Sequence, residues 1–154
     1  MMQKVVHHKG GQNMKAKRKI VTTYICKTCK TAYSSKKACE ACEKLPVEAA
    51  VAKVGDKVTI LEQRECLMSN KHYIARGVIS GVSGALPPDT EYELKWLGGR
   101  PDRLNTHVRS YGVAYKCPRC GEKREHFVFA PEFVVQKNGS AKKSEKNHAT
   151  GIKH

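Results

Sequence analysis

Cys26-Lys27-Thr28-Cys29 and Cys39-Glu40-Ala41-Cys42 decide how the front of this chain folds. Two Cys-x-x-Cys pairs separated by nine residues place four soft sulfur ligands within seventeen residues. That spacing suits a tetrahedral Zn²⁺ with four thiolates, each pair curling round the ion with both sulfurs pointing inward. A closed four-ligand site has no open position for water or substrate, so it points to a structural metal and not to catalysis.

Just upstream, residues 20–25 (Ile20-Val21-Thr22-Thr23-Tyr24-Ile25) are β-branched and aromatic, which predicts a strand leading into the first pair. Ala32 and Tyr33 read as the return strand of a hairpin. Ser34 or Ser35 can cap a short helix over residues 36–44, which Pro46 closes. On that helix Cys39 and Cys42 are three apart and share a face. The expected unit is a ββα zinc finger over residues 20–46.

The pattern Tyr24-x-Cys26-x-x-Cys29, Tyr33, Ala38 and Cys42-Glu43-Lys44 resembles the small zinc fingers common in phage and bacterial proteins. In those, a Cys-x-x-Cys hairpin meets a helix bearing a further Cys and, four residues later, a His. Here Pro46 stands where that His would be, and Cys39 stands where a small residue is usual. The resemblance therefore implies that Cys39 takes the fourth ligand position. It implies a metal-held finger and no particular partner.

Tyr115-Lys116-Cys117-Pro118-Arg119-Cys120-Gly121 has the form of a second zinc knuckle, with Gly121 permitting the tight turn. Two cysteines need partners. Cys66 can supply a third ligand, with His72, His107 or His126 as the fourth. Alternatively, Cys117 and Cys120 join Cys26 and Cys29 in a ribbon, leaving Cys39 and Cys42 spare. Cys66 by itself also reads as a buried apolar thiol. The metal candidates are thus Cys26, Cys29, Cys39, Cys42, Cys66, Cys117 and Cys120, for one Zn²⁺ site and a second metal beyond it.

Between the two cysteine regions, Val54-Gly55-Asp56-Lys57-Val58 reads as a turn feeding a strand, and residues 72–79 as a second strand. The Pro87-Pro88-Asp89 loop precedes residues 91–96, where Tyr92, Leu94 and Trp96 alternate with charges at period two, the mark of a third strand. A fourth is expected over residues 104–109. Short strands separated by Gly and Pro turns predict a small antiparallel barrel. The order Val54-Gly55-Asp56-x-Val58, Ala75-Arg76-Gly77-Val78-Ile79, then Tyr92-Glu93-Leu94-Lys95-Trp96 resembles the SH3-like barrels of ribosomal, transcription-factor and Tudor modules. Such barrels bind RNA, DNA or peptides, so the resemblance does not choose among them. Trp96, Tyr92 and Tyr73 can form either a stacking surface or ordinary core.

The expected fold is mainly β with a small α element, in five parts. A flexible basic arm (1–19) precedes the ββα finger (20–46) and an SH3-like β-barrel (47–115). A zinc-knuckle hairpin (116–136) and a disordered basic tail (137–154) follow. Met14 is an alternative start.

A chain of 154 residues supports one domain of ordinary size with metal-held additions. Its formal charge is +15, and the excess is not evenly spread. Residues 1–24 carry six basic side chains and no acid, and the tail from 137 carries five Lys against Glu145. Residues 47–115 are nearly balanced, with nine basic and eight acidic side chains. A cationic excess on the ends and the finger attracts polyanions, nucleic acid first. The residues expected to touch phosphates are Lys15, Lys17, Arg18 and Lys19 of the arm, with Lys27, Lys30, Lys36 and Lys37 of the finger.

No apolar run approaches the ~20 residues of a membrane span. The basic N-terminus lacks an apolar signal core, so a reducing, cytoplasmic setting is expected, which favours metal over disulfide. No phosphate-binding glycine loop, nucleophile elbow or paired-carboxylate pattern is present. Cys66 with His72 is the only isolated thiol and base pair, and Pro118 follows Cys117 where a zinc deaminase would have a proline before it. The expected function is therefore non-catalytic binding of nucleic acid. The alternative is a protein-interaction adaptor, of the kind phages encode, docking on a host or viral nucleic-acid machine.

Overall fold

The computed structural model describes residues 3–5, 19–95 and 103–137. In the front unit, strands β1 (Gln3–Val5), β2 (Val21–Ile25) and β3 (Ala32–Tyr33) form an antiparallel sheet in that order. Helix α1 (Lys36–Glu43) follows, capped by Ser35, whose extended backbone lets its Oγ accept from the Ala38 amide at 3.4 Å. The interior of this unit is Cys26, Cys39 and Cys42 with Tyr24, Cys29 and Tyr33 packed around them. That is a small apolar interior for a ββα unit, one that a ligand held by the sulfurs would reinforce.

The arm departs from expectation at its start. Gln3–Val5 pairs with β2, setting Gln3 opposite Thr23 and Val5 opposite Val21, and so occupies the open edge that a two-stranded hairpin would leave. Lys15, Lys17, Arg18, Trp96 and the tail from residue 138 lie outside the described residues.

The main sheet is built from β4 (Lys57–Ile60), β7 (Arg76–Val82), β8 (Ser110–Lys116), β9 (Lys123–Phe129) and β10 (Phe133–Val135). A separate two-stranded hairpin, β5 (Arg64–Cys66) and β6 (Lys71–Tyr73), stands between β4 and β7 in the chain. The sheet order is β10-β4-β7-β8-β9, every pair antiparallel. Only the single 3₁₀ turn Ala130–Glu132 separates the two edge strands β9 and β10. The sheet must therefore curl until its edges meet at that corner.

Alternation along the strands explains the core. Val58 and Ile60 of β4 and Tyr111, Val113 and Tyr115 of β8 point inward at period two, together with Ile79, Val128 and Phe133. The Tyr111 and Phe133 rings meet edge to face at 5.0 Å. Gly77 is required where β7 passes β8, because a Cβ there would fall 2.3 Å from the Ala114 carbonyl oxygen.

Three strand expectations change. Residues 91–95 of the expected 91–96 strand are helical: helix α2 (Thr90–Lys95) occupies the position, and Glu91, 2% exposed, is its inward side chain while Tyr92 and Leu94 face outward. Residues 72–79 split, because the chain leaves β5 after Tyr73 and pairs with β4 from Arg76. Residues 104–109 form a loop whose one ladder contact is a parallel bridge between Val47 and His107. The second knuckle hairpin is continuous with the main sheet, since β8 and β9 run straight into it. Tyr73 packs against Tyr115 in the core, at 6.4 Å between rings, and not in a surface cage.

Candidate metal centres

Three hairpin turns share one hydrogen-bonding pattern. In the first, Lys30 N–H donates to Cys26 O at 2.9 Å and Cys26 N–H to Thr31 O at 2.9 Å. In the second, Gly121 N–H donates to Cys117 O at 2.8 Å and Cys117 N–H to Glu122 O at 2.9 Å. In the third, Asn70 N–H donates to Cys66 O at 2.7 Å, and Cys66 pairs with Lys71 across β5 and β6. The residue closing each turn is left-handed: Lys30 at φ 63°, Asn70 at 53° and Gly121 at 76°. Such a turn aims backbone N–H groups at the cysteine sulfurs, the setting that stabilises a thiolate.

The first centre gathers Cys26, Cys29, Cys42 and His107, whose ligand atoms all lie within 4.8 Å of one another. A tetrahedral Zn²⁺ with its usual bond lengths needs sulfur–sulfur edges of about 3.8 Å and sulfur–nitrogen edges of about 3.6 Å. The Cys29 and Cys42 sulfurs are 3.7 Å apart, and Cys42 Sγ is 3.8 Å from His107 Nε2. All seven cysteines are free thiols. The donors present fit zinc, which would order the finger and clamp it to the main sheet.

This geometry departs from the sequence expectation at one ligand. Cys39 is buried in the finger's interior but does not join the group, and His107 holds the fourth position. The reason is that the loop over residues 103–109 is pinned against the end of the finger. His107 N–H donates to Pro46 O at 2.9 Å, and Glu48 N–H donates back to His107 O at 2.8 Å. Arg103 then bridges two acids, with Nη1 2.6 Å from Glu48 Oε1 and Nε 2.6 Å from Glu91 Oε2. Glu48 Oε2 also accepts from the Arg109 amide at 3.1 Å. His107 is fully buried, and its Nδ1 lies 3.0 Å from Leu86 O. Its Nε2 lies 2.9 Å from Cys42 O and 3.8 Å from Cys42 Sγ, so a metal at Nε2 would take the place of a hydrogen bond to that carbonyl, with the ring proton then on Nδ1 and donated to Leu86 O.

Burial pushes the Cys42 thiol up to about 12, although the Tyr33 hydroxyl hydrogen-bonds it and opposes the rise. That same bond, with burial, raises Tyr33. Burial acts upward on Cys26 too, but there the backbone N–H groups of Cys29 and Thr28 outweigh it and the thiol is lowered.

The second centre gathers Cys66, Cys117 and Cys120. Cys66 and Cys117 are buried, while Cys120 is exposed. The Ser69 hydroxyl, then the Ser69 and Met68 backbone amides, hold the Cys66 thiol down at about 6 against its burial. The structure thus brings Cys66 to the second knuckle and separates that knuckle from Cys26 and Cys29. Sequence reasoning named His107 only as a candidate for this second site.

The basic finger residues lie on the surface. Lys27 and Lys30 flank the first turn, and Lys36 and Lys37 open α1; all four are exposed, as is Lys19. Lys36 also pairs with Glu40 at 3.7 Å. Among the described residues, no helix is long and apolar enough to cross a membrane. The chain matches no protein-family model, no curated protein and no solved structure.

Proposed function

We propose that the chain is a non-catalytic zinc-binding protein that grips nucleic acid through its basic finger and the preceding arm. The observation that carries the reading is the charge layout. Lys19, Lys27, Lys30, Lys36 and Lys37 are exposed on or beside the metal-held unit, next to the basic run from Lys15, while the segment feeding the main sheet is nearly neutral. Each three-thiolate centre with a dication subtracts one charge from the formal +15, so the protein stays strongly cationic with both filled. The SH3-like barrel belongs to this proposal; a five-stranded antiparallel sheet whose last strand pairs with its first supports it.

Phosphate contacts of this kind release counterions, so affinity should fall steeply with salt. The test is an anisotropy titration of mixed DNA and RNA oligomers at several salt concentrations. Replacing Lys15, Lys17, Arg18 and Lys19 by Ala should weaken binding to all sequences alike and flatten the salt slope by about 0.9 for each lost contact. A salt-independent curve would refute the proposal. The adaptor reading draws on Leu67 and Met68, 72% and 81% exposed at the tip of the β5–β6 turn. A partner retained in a pull-down after nuclease treatment, without any oligomer binding, would favour it.

A further inference from the structure

Among the described residues the second centre gathers three cysteine sulfurs, and a structural zinc takes four ligands. Three histidines were candidates for the missing one. His107 belongs to the first centre. His72 pairs with Glu65, one step along the hairpin from the Cys66–Lys71 pair, so its side chain leaves by the opposite face from Cys66. His126 pairs with Val113, four steps along the β8–β9 ladder from Cys117, which is about 13 Å at the rise of an extended strand.

The turn itself supplies the answer. Cys66-Leu67-Met68-Ser69-Asn70 repeats the hydrogen bond from the fifth residue's N–H to the first cysteine's carbonyl, and the left-handed fifth residue, of Cys26-Lys27-Thr28-Cys29-Lys30 and of Cys117-Pro118-Arg119-Cys120-Gly121. In both of those turns the fourth residue is a cysteine of its centre. In the Cys66 turn it is Ser69, whose backbone N–H donates to Cys66 O at 3.2 Å. We propose that Ser69 Oγ is the fourth ligand of the second centre, which makes it a three-thiolate, one-oxygen zinc site formed by two facing knuckles.

The consequence is an asymmetry between the centres. A hydroxyl is a poorer ligand for zinc than a thiolate or imidazole, and here it sits on an exposed turn beside the exposed Cys120. The first centre is mostly enclosed; the second gives up its metal first. This inference rests on Cys66, Cys117 and Cys120 holding a metal at all, and its test separates the two claims.

The full chain is loaded with Co²⁺, and then with Zn²⁺ for chelator competition, as wild type, Ser69→Cys and Ser69→Ala. Ser69 is exposed in a turn, so both variants retain the fold. With both centres filled, wild type should show thiolate-to-cobalt charge transfer from six sulfurs. S69C should add the intensity of a seventh and tighten the weaker of the two zinc sites roughly tenfold or more. S69A should keep the six-sulfur spectrum but release that zinc more readily. Spectrum and affinity unchanged in S69C would show that Ser69 is not at the vertex and overturn the proposal. A gain in S69C with no loss in S69A would place water there, and overturns it equally. One metal per wild-type chain, with three-sulfur intensity, would remove the second centre itself and the Ser69 assignment with it.

Discussion

His107 Nε2 lies 3.8 Å from Cys42 Sγ although 65 positions separate the two residues. That contact joins the finger to the loop feeding β8, so a metal at this point does more than close a hairpin. It would tie the front unit to the main sheet through a side chain whose other ring nitrogen faces the Leu86 carbonyl oxygen.

Replacing His107 by Ala should therefore remove a ligand, whereas replacing Cys39 by Ala should not. The prediction is that H107A lowers the zinc affinity of the first centre and costs about 2 kcal/mol of metal-free stability, because buried hydrogen-bond partners are left unpaired. C39A should keep the wild-type zinc content and show only the loss of a small buried side chain. Zinc analysis with chemical denaturation of both variants separates them. Metal loss in C39A with none in H107A would restore the all-cysteine site that the spacing alone suggests.

Zinc binding should release protons and strengthen with pH. Without metal, burial holds the Cys42 thiol at about 12, so near neutrality it is protonated and must give up its proton to bind. Affinity at the first centre should thus rise from pH 6 to pH 8, and calorimetry in buffers of different ionisation heats should report proton release. A pH-independent affinity would contradict the thiolate assignment.

Arg103 binds Glu48 and Glu91 at 2.6 Å each, with all three side chains largely buried. Arg103→Ala strands two carboxylates and should cost about 3–5 kcal/mol, seen as a fall in the urea midpoint. For Glu91, burial raises the carboxyl above its ordinary value, and the Arg103 bond only partly offsets this. A raised folded value means that the stabilisation is complete below the unfolded carboxylate range and is lost as pH climbs through the folded value. Glu91→Gln, measured beside wild type under zinc saturation, should therefore gain on wild type as pH rises above the ordinary carboxylate range. A constant difference would contradict it.

Local features of the fold were legible in the sequence. The β-branched run before Cys26, the Ser35 cap and the knuckle spacings each act within a few residues, and β2, α1 and the two Cys-x-x-Cys turns stand where those signals put them. His107 was not legible as a partner of Cys42, because its place depends on the Val47 bridge and the Arg103 ion pairs, which no window of sequence contains. Helix α2 was misread from the alternation of Tyr92 and Leu94. The better signal was Pro87-Pro88-Asp89-Thr90 followed by Glu91 and Glu93, a helix start with acids in its first turn. Ser69 carried no signal at all until the Cys66 turn proved to repeat the other two.

The most direct test is the metal content of the purified chain, by native mass spectrometry before and after a strong chelator, with near-ultraviolet circular dichroism on the same samples. Two zinc ions per chain are predicted, the second centre emptying first and the finger losing its fixed packing only when the Cys26, Cys29, Cys42 and His107 site is stripped. A chain that is metal-free as purified, takes up no zinc, and keeps its near-ultraviolet spectrum in chelator would contradict the account.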